Sequence, residues 1–262
     1  MQNLKDRVAI VTGGSLGIGA AGASSMANSG AKVVIMDINK TAGEEVIDKI
    51  TSSGGSAHLI VGDASAADDC KKTISETVKI FGGLDILFNN VGIQPPESYT
   101  NVEDTSEEMW DRILSVNLKS RFLMAKYSIP EMKKRGGGVI ISTASVQGQQ
   151  SANLVPAYAA TKGADLSLTR QLAIDYGPDN IRVLSICPGA IDTPLWRISL
   201  ESKNLDVEDA ILNSMTSTPL GRVGQPEDLG EIISFLASDA ARYMTGTFVN
   251  VDGGLMAKGA WA

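Results

Sequence analysis

Seven short runs of apolar, largely β-branched residues recur along this chain, and the stretches between them carry helical patterning. The runs are "RVAIVTG" (7–13), "KVVIMD" (32–37), "AHLIVGD" (57–63), "LDILFNN" (84–90), "GVIISTAS" (138–145), "IRVLSICPG" (181–189) and "TFVNVDG" (247–253). Their apolar character is continuous rather than alternating, which suits strands covered on both faces, as in a parallel sheet. Helix-like segments lie near 17–29, 40–52, 66–81, 106–133, 156–177 and 226–238. Alternation of this kind builds βαβ units with right-handed crossovers. A closed (β/α) barrel needs eight units and holds phosphate near its last strands. Here there are seven runs, and a glycine-rich loop follows the first. The expectation is an α/β fold: one open, doubly wound, seven-stranded parallel sheet with helices on both faces, in a single domain over 1–262.

The loop after the first run reads "TGGSLGIGA" (12–20). Gly13, Gly17 and Gly19 let the chain turn tightly, let a pyrophosphate approach the backbone and let the next helix pack close to the sheet. Asp37 ends the second run, eighteen residues past Gly19. A carboxylate there can accept from both hydroxyls of an adenosine ribose and repels a 2′-phosphate. It can equally cap the helix that "DINK" opens. No Lys or Arg lies between Gly13 and Gly19, and Ile38 follows Asp37, so the usual partners of a 2′-phosphate are missing. The fold is therefore expected to be Rossmann-like and the cofactor NAD. A net charge of −7 argues against nucleic acid or an anionic membrane as partner. No apolar run approaches the roughly 20 residues of a membrane span, so a cytoplasmic enzyme of a small-molecule substrate is expected. One histidine, His58, and two cysteines, Cys70 and Cys187, exclude a metal cluster or a His-based triad unless His58 itself takes part.

"PAYAATKG" (156–163) sets Tyr158 four places before Lys162, on one helix face a turn apart. Such pairs are common and by themselves mean little. Ser145, however, ends a run thirteen residues before Tyr158. Together with "TGGSLGIG" (12–19), Asp37, Asp63, "NNVG" (89–92), Asn117, "YAATK" (158–162), "PGAIDT" (188–193) and "VDGG" (251–254), the sequence resembles the short-chain dehydrogenase/reductase family over nearly its whole length. The resemblance implies a catalytic set of Asn117, Ser145, Tyr158 and Lys162. Tyr158 then exchanges a proton with the substrate, its phenolate favoured by Lys162 and the oxidised nicotinamide. Ser145 holds the substrate oxygen, Lys162 binds the nicotinamide ribose, and Asn117 anchors a water. Read alone, Asn117 is a helix-interior asparagine bonding locally. For the cofactor the resemblance implies Gly13, Ser15, Leu16, Gly17, Ile18, Gly19, Asp37, Ile38, Asp63, Ala64, Asn90, Gly92, Pro188, Gly189, Ile191 and Thr193, besides Tyr158 and Lys162. Val91 stands where alanine is commoner. Arg222 and Asp252 look structural, at subunit contacts, and Cys187 reads as a small buried hydrophobe. The resemblance also implies a homotetramer, helices 106–133 and 156–177 pairing across one two-fold and the apolar tail residues Leu255, Met256 and Trp261 meeting a neighbour across another.

Three segments are expected to wall the substrate pocket: "IQPPE" (93–97), "VQGQQSANLV" (146–155) and an irregular insertion at 190–218, read as a lid over the sheet's carboxyl edge, with a solvated amphipathic helix, suggested by Glu201, Asp206, Glu208 and Asp209, as the alternative. Gln94, Gln147, Gln150 and Trp196 are the candidate substrate residues. Amides donate and accept, which suits a sugar, polyol or small cyclic alcohol, unless the glutamines simply face solvent. In hydroxybutyrate dehydrogenases of this family a histidine and a lysine hold the carboxylate; Gln147 and Val155 stand there, which disfavours a hydroxy acid. The rivals are an NADPH-dependent ketoreductase of carrier-bound acyl chains and a catalytically silent dinucleotide-binding regulatory or scaffold protein. Asp37 argues against the first, and the complete Ser145/Tyr158/Lys162/Asn117 set against the second.

Overall fold

The computed structural model describes residues 3–201 and 206–259, so Trp261 lies outside the described residues. Seven parallel strands form one sheet in the order β3-β2-β1-β4-β5-β6-β7. They are β1 (Val8–Thr12), β2 (Lys32–Asp37), β3 (Ser56–Val61), β4 (Ile86–Asn89), β5 (Gly138–Thr143), β6 (Ile181–Pro188) and β7 (Thr247–Val251). Every pairing is parallel, with Ala9 of β1 set between Val33 of β2 and Ile86 of β4. The central strands are buried throughout because helices cover both faces, whereas β3 and β7 at the edges are largely exposed. That is the physical content of the continuous apolar runs.

Successive residues feed opposite cores. Ala9, Val11, Val33, Ile35, Ile86, Phe88, Val139 and Ile141 meet Ala23 and Met26 of α1 (Gly17–Asn28), Ile50 of α2 (Lys40–Ser52), and Leu229 and Ile233 of α9 (Pro226–Ala237). Ile10, Val34, Met36, Leu87 and Ile140 meet Ile74 of α3 (Ala67–Phe81) and Leu123, Met124 and Met132 of α5 (Ser120–Lys134). Helix α6 (Pro156–Tyr176) lies on this second face, with Ala173 in its core. Helices α1 and α9 can touch because glycine lies at their contact. A Cβ on Gly230 would sit 2.9 Å from the Ala21 carbonyl oxygen.

Two segments differ from the sequence reading. The helix expected over 106–133 divides into α4 (Glu107–Leu114), a π-helical segment at Ser115–Lys119, and α5. The insertion at 190–218 holds two helices, α7 (Pro194–Glu201) and α8 (Val207–Ser217), with Leu200 and Ala210 buried. Residues 202–205 between them lie outside the described residues. Helix α8 starts on an Asp206 carboxylate that accepts from the Glu208 and Asp209 N–H groups, so the charges that suggested an amphipathic helix here include its cap. Among the described residues no helix is long and apolar enough to cross a membrane.

Gly230→Val forces α9 off α1. Overpacking of this kind costs about 1–3 kcal/mol, so thermal unfolding should show a midpoint lower by several degrees.

Candidate active site

The strand order reverses between β1 and β4, and the loops beyond their carboxyl ends diverge there. Gly13 adopts φ +62° and Gly17 φ +53°, values that favour glycine. At Gly19 a Cβ would fall on the Gly13 carbonyl oxygen. The N-cap residue of α1 is Leu16, with no side-chain cap and no acidic residue in the first turn, which leaves the helix amino terminus open to an anion. Asp37 accepts from the Ser15 N–H at 3.1 Å and the Asn39 N–H at 2.9 Å. Asn39, not Asp37, caps α2, accepting from the Ala42 N–H. Asp37 therefore ties the loop to the end of β2, beside an Ile38 that is three-quarters exposed. This cradle, with its bare helix terminus and lone carboxylate, fits a dinucleotide's pyrophosphate and ribose.

Other predicted cofactor residues make contacts of their own around the carboxyl ends of the strands. Asn90 donates from its side chain to the Gly13 carbonyl and accepts from the Thr143 hydroxyl, bracing the glycine loop against β5. Thr193 faces Gly17, its Cγ2 lying 3.1 Å from where a Gly17 Cβ would be. Gly189 packs on the Asp252 backbone, Ile191 is buried and bridges to Gly224, and Ala64 is buried after Asp63. The Asp63 carboxylate accepts from the Ser65 N–H and hydroxyl. The Ile18 side chain packs against the core beneath α1. Gly92 sits against the Asn117 amide.

Asn117 departs most from its sequence reading. It is buried in the π-helical segment, accepts from the Ile93 N–H at 2.7 Å and donates to the Ile93 carbonyl at 2.9 Å. The bonds are long-range, and the wide turn of the helix delivers them. They fix the loop that leaves β4.

Ser145 follows β5 and starts a short 3-10 turn, its Oγ accepting from the Gln147 N–H at 3.1 Å. Its hydroxyl also meets Tyr158. That turn packs on α6 through Gly148, where a Cβ would stand 2.6 Å from the Lys162 carbonyl oxygen. The Lys162 Nζ lies 5.3 Å from the Tyr158 ring centre and donates to the Thr143 carbonyl at 2.6 Å. Ser145, Tyr158 and Lys162 are therefore grouped at the carboxyl end of β5.

Burial dominates their ionisation. The Tyr158 phenol is pushed up to about 12 by desolvation, against the Ser145 hydrogen bond and the Arg121 charge, which lower it. Lys162 is pulled down to about 7 by desolvation and by Arg121, against the attraction of Asp165. In the protein alone burial thus outweighs the neighbouring charge and hydrogen bond that favour the phenolate. A charge that lowers the phenol comes from Arg121, a residue the sequence reading passed over. A charged residue inside a helical segment reads as a solvated face, and nothing local marks it as buried.

The candidate substrate amides separate. Gln94 is buried and Gln147 half-buried, and Gln94 Nε2 and Gln147 Oε1 have no hydrogen-bond partner among the described residues. Gln149 donates to Asn250 on β7, and Gln150 is exposed, so part of the run does face solvent. The turn at Pro96–Ser98 leads to Tyr99, whose hydroxyl meets Ser199 of α7. Trp196 is half-buried on α7, its N–H donating to Thr193. Arg222 pairs with Asp228 at 2.6 Å, and Asp252 accepts from the Gly254 and Met256 N–H groups, so both have structural work within the chain. Cys187 is fully buried and its thiol is pushed up to about 11 by desolvation, which leaves it inert. His58 is exposed on β3.

Comparison with known proteins gives this geometry a setting. A family model described as "Enoyl-(Acyl carrier protein) reductase" matches residues 13–256. The cyclohexanol dehydrogenase of Acinetobacter sp. (strain SE19) is 35% identical, over 97% of this chain and 96% of that protein. A short-chain type dehydrogenase/reductase from Mycobacterium marinum is 34% identical, with TM-score 0.89 over 98% of each chain. A 7α-hydroxysteroid dehydrogenase complexed with NADH and 7-oxo glycochenodeoxycholic acid is 33% identical, with TM-score 0.88 over 96% of this chain and 95% of that one.

Asn117→Leu removes both partners of the Ile93 backbone. Leaving buried polar groups unmet costs about 1–3 kcal/mol, and urea unfolding should show that loss as a lower midpoint with an unchanged slope.

Proposed function

This chain belongs to the short-chain dehydrogenase/reductase family, and we propose that it is an NAD-dependent alcohol dehydrogenase interconverting a secondary alcohol and a ketone, with a sugar, polyol or small cyclic alcohol as substrate. The observation that carries this reading is the grouping of Ser145 with Tyr158 and Lys162 of α6 at the end of β5, in a fold whose glycine loop is tied to Asp37.

In this reading the Tyr158 phenol takes the alcohol's proton during oxidation and returns it during reduction. The Ser145 hydroxyl accepts from the Gln147 N–H and meets Tyr158, and in this reading it turns its proton from that neighbour to the substrate oxygen. Nicotinamide, when bound, would supply hydride acceptance and a positive charge, and Arg121 is the chain's own charge that counters the burial holding the phenol protonated. Lys162 supplies the ammonium for the ribose hydroxyls, held between the Thr143 carbonyl and the Tyr158 ring. Gly13, Gly17, Gly19 and the α1 amino terminus take the pyrophosphate, Asp37 the adenosine ribose, and Thr193 the carboxamide. The lone acceptor atom of Gln147 and the lone donor of Gln94 suit a substrate with a second oxygen function, and α7 and α8 serve as the cover. The cyclohexanol-oxidising relative supports a small cyclic alcohol. The steroid-bound neighbour keeps larger ring systems among the substrates to be tried.

A homotetramer is part of the same proposal. An open groove between α4–α5 and α6, lined by Leu118, Phe122 and Leu168, offers the apolar surface for one two-fold.

Following NADH formation across sugars, polyols, cyclic alcohols, hydroxy acids and steroids tests the reading. A steroid or hydroxyacyl thioester turned over far above every polyol, sugar and cyclic alcohol refutes the substrate class. Burying a 2′-phosphate against the Asp37 carboxylate is unfavourable, so kcat/KM with NAD should exceed that with NADP by about tenfold or more. Equal values refute the cofactor assignment. Tyr158→Phe should keep NAD affinity and lose at least about a hundredfold in turnover, the usual effect of a lost acid/base group. Near-normal turnover removes Tyr158 from the chemistry.

A further inference from the structure

Arg121 is among the largest fully buried side chains, and its acidic partner is equally buried, each side chain 1% exposed. Its Nε–H donates to Asp165 at 2.7 Å, one Nη to the Val91 carbonyl and the other to the Thr143 carbonyl, each at 3.0 Å. Four elements meet on one guanidinium: α5, the loop after β4, the end of β5, and α6. The Thr143 carbonyl is the oxygen to which Lys162 also donates, and Asp165 stands three residues after Lys162 on the same helix. Burying a charge pair is expensive, and an apolar pair of similar size is often as stable. Beyond the two carbonyls the guanidinium serves, stability alone does not call for an ion pair here.

We propose that Arg121 and Asp165 are positioning residues for Lys162: the guanidinium fixes the carbonyl on which the ammonium rests, and the pair sets the charge balance that decides at what pH the ammonium keeps its proton. This rests on the reading of Tyr158 and Lys162 as the proton-handling pair. The ionisable groups facing Lys162 are Arg121 from α5, Asp165 and Tyr158 from α6, and Cys187 from β6; Tyr99 faces Tyr158 from the turn after β4. The set contains two cations and one anion. Asp165 attracts the Lys162 ammonium and Arg121 repels it, with the larger effect from Arg121. The two residues thus act on Lys162 with opposite sign.

The test is a titration of Lys162 in the protein without cofactor, read from the 13Cε shift of labelled lysine and assigned with Lys162→Arg. Asp165→Asn keeps the shape and an acceptor for the Arg121 Nε–H but removes the anion. The Lys162 titration should move to lower pH by about one unit, the scale of a neighbouring-charge effect. Arg121→Met with Asp165→Leu removes both charges and replaces the pair with apolar bulk. The titration should then move to higher pH, since the stronger, repulsive partner is gone and Thr143 is left to Lys162 alone. In the loaded enzyme the alkaline limb of kcat/KM should follow each shift, and the double variant should lose about tenfold to a hundredfold in kcat through misplacement of the ammonium. Titrations of both variants coinciding with the parent overturn the proposal, as does a double variant with parental kcat. A purely structural pair would lower thermal stability and leave the Lys162 titration in place. Normal turnover by Tyr158→Phe refutes the acid/base reading without touching the titration, so the two failures are distinguishable.

Discussion

Where the strand order of a parallel sheet reverses, here between β1 and β4, the diverging chain ends need other hydrogen-bond partners, and the neighbouring end of β5 shares in them. The Thr12 hydroxyl accepts from the Asn90 N–H, and the Asn90 amide donates to the Gly13 carbonyl. Asn117 serves both groups of Ile93, and Arg121 serves the Val91 and Thr143 carbonyls. Lys162 adds a second donor to Thr143. The polar side chains around the cleft are first of all what allows the sheet to open there. Groups fixed by such obligations are also rigid, which is what a site for chemistry needs.

The opposite end of the sheet is closed by different means. The buried Asp85 carboxylate accepts from the Val8 N–H and from Arg135, and Arg7 lies near it. Apolar side chains fill both faces between the two ends. Stabilising contacts therefore gather at the amino edge and through the middle, and the carboxyl edge carries the glycines, the uncapped helix and the unmet amides.

The sheet was readable in the sequence because strands buried on both faces must be apolar without interruption, and the helices because they fill the stretches that alternate with those runs. The π-helical segment was not. It changes the local turn by one residue, and an apolar pattern tolerates that without a trace. The role of Asn117 was missed by residue-level reasoning for the same reason, since its partner Ile93 is distant in sequence. Resemblance marked the residue but not the bond. The Arg121–Asp165 pair is also silent, because two charged residues in two helical segments look solvated until the fold brings them together. Of the glutamines, composition could not separate Gln94 and Gln147, which point inward, from Gln149, which is committed to Asn250.

The π-helical segment also has a consequence for how this chain can change over time. A π turn holds one residue more than the α-helical ladder would, and one residue is about 100° of rotation. Everything after it on α5 is phased by that extra residue: Arg121 toward Asp165, Leu123 and Met124 toward the core. Deleting any residue of Ser115–Lys119 would give a more regular helix and turn all three away from their partners at once. The stretch is thus locked in length rather than in composition. Single-residue insertions and deletions can accumulate in the exposed turns at the amino edge, but across this helix the residue count is part of the site.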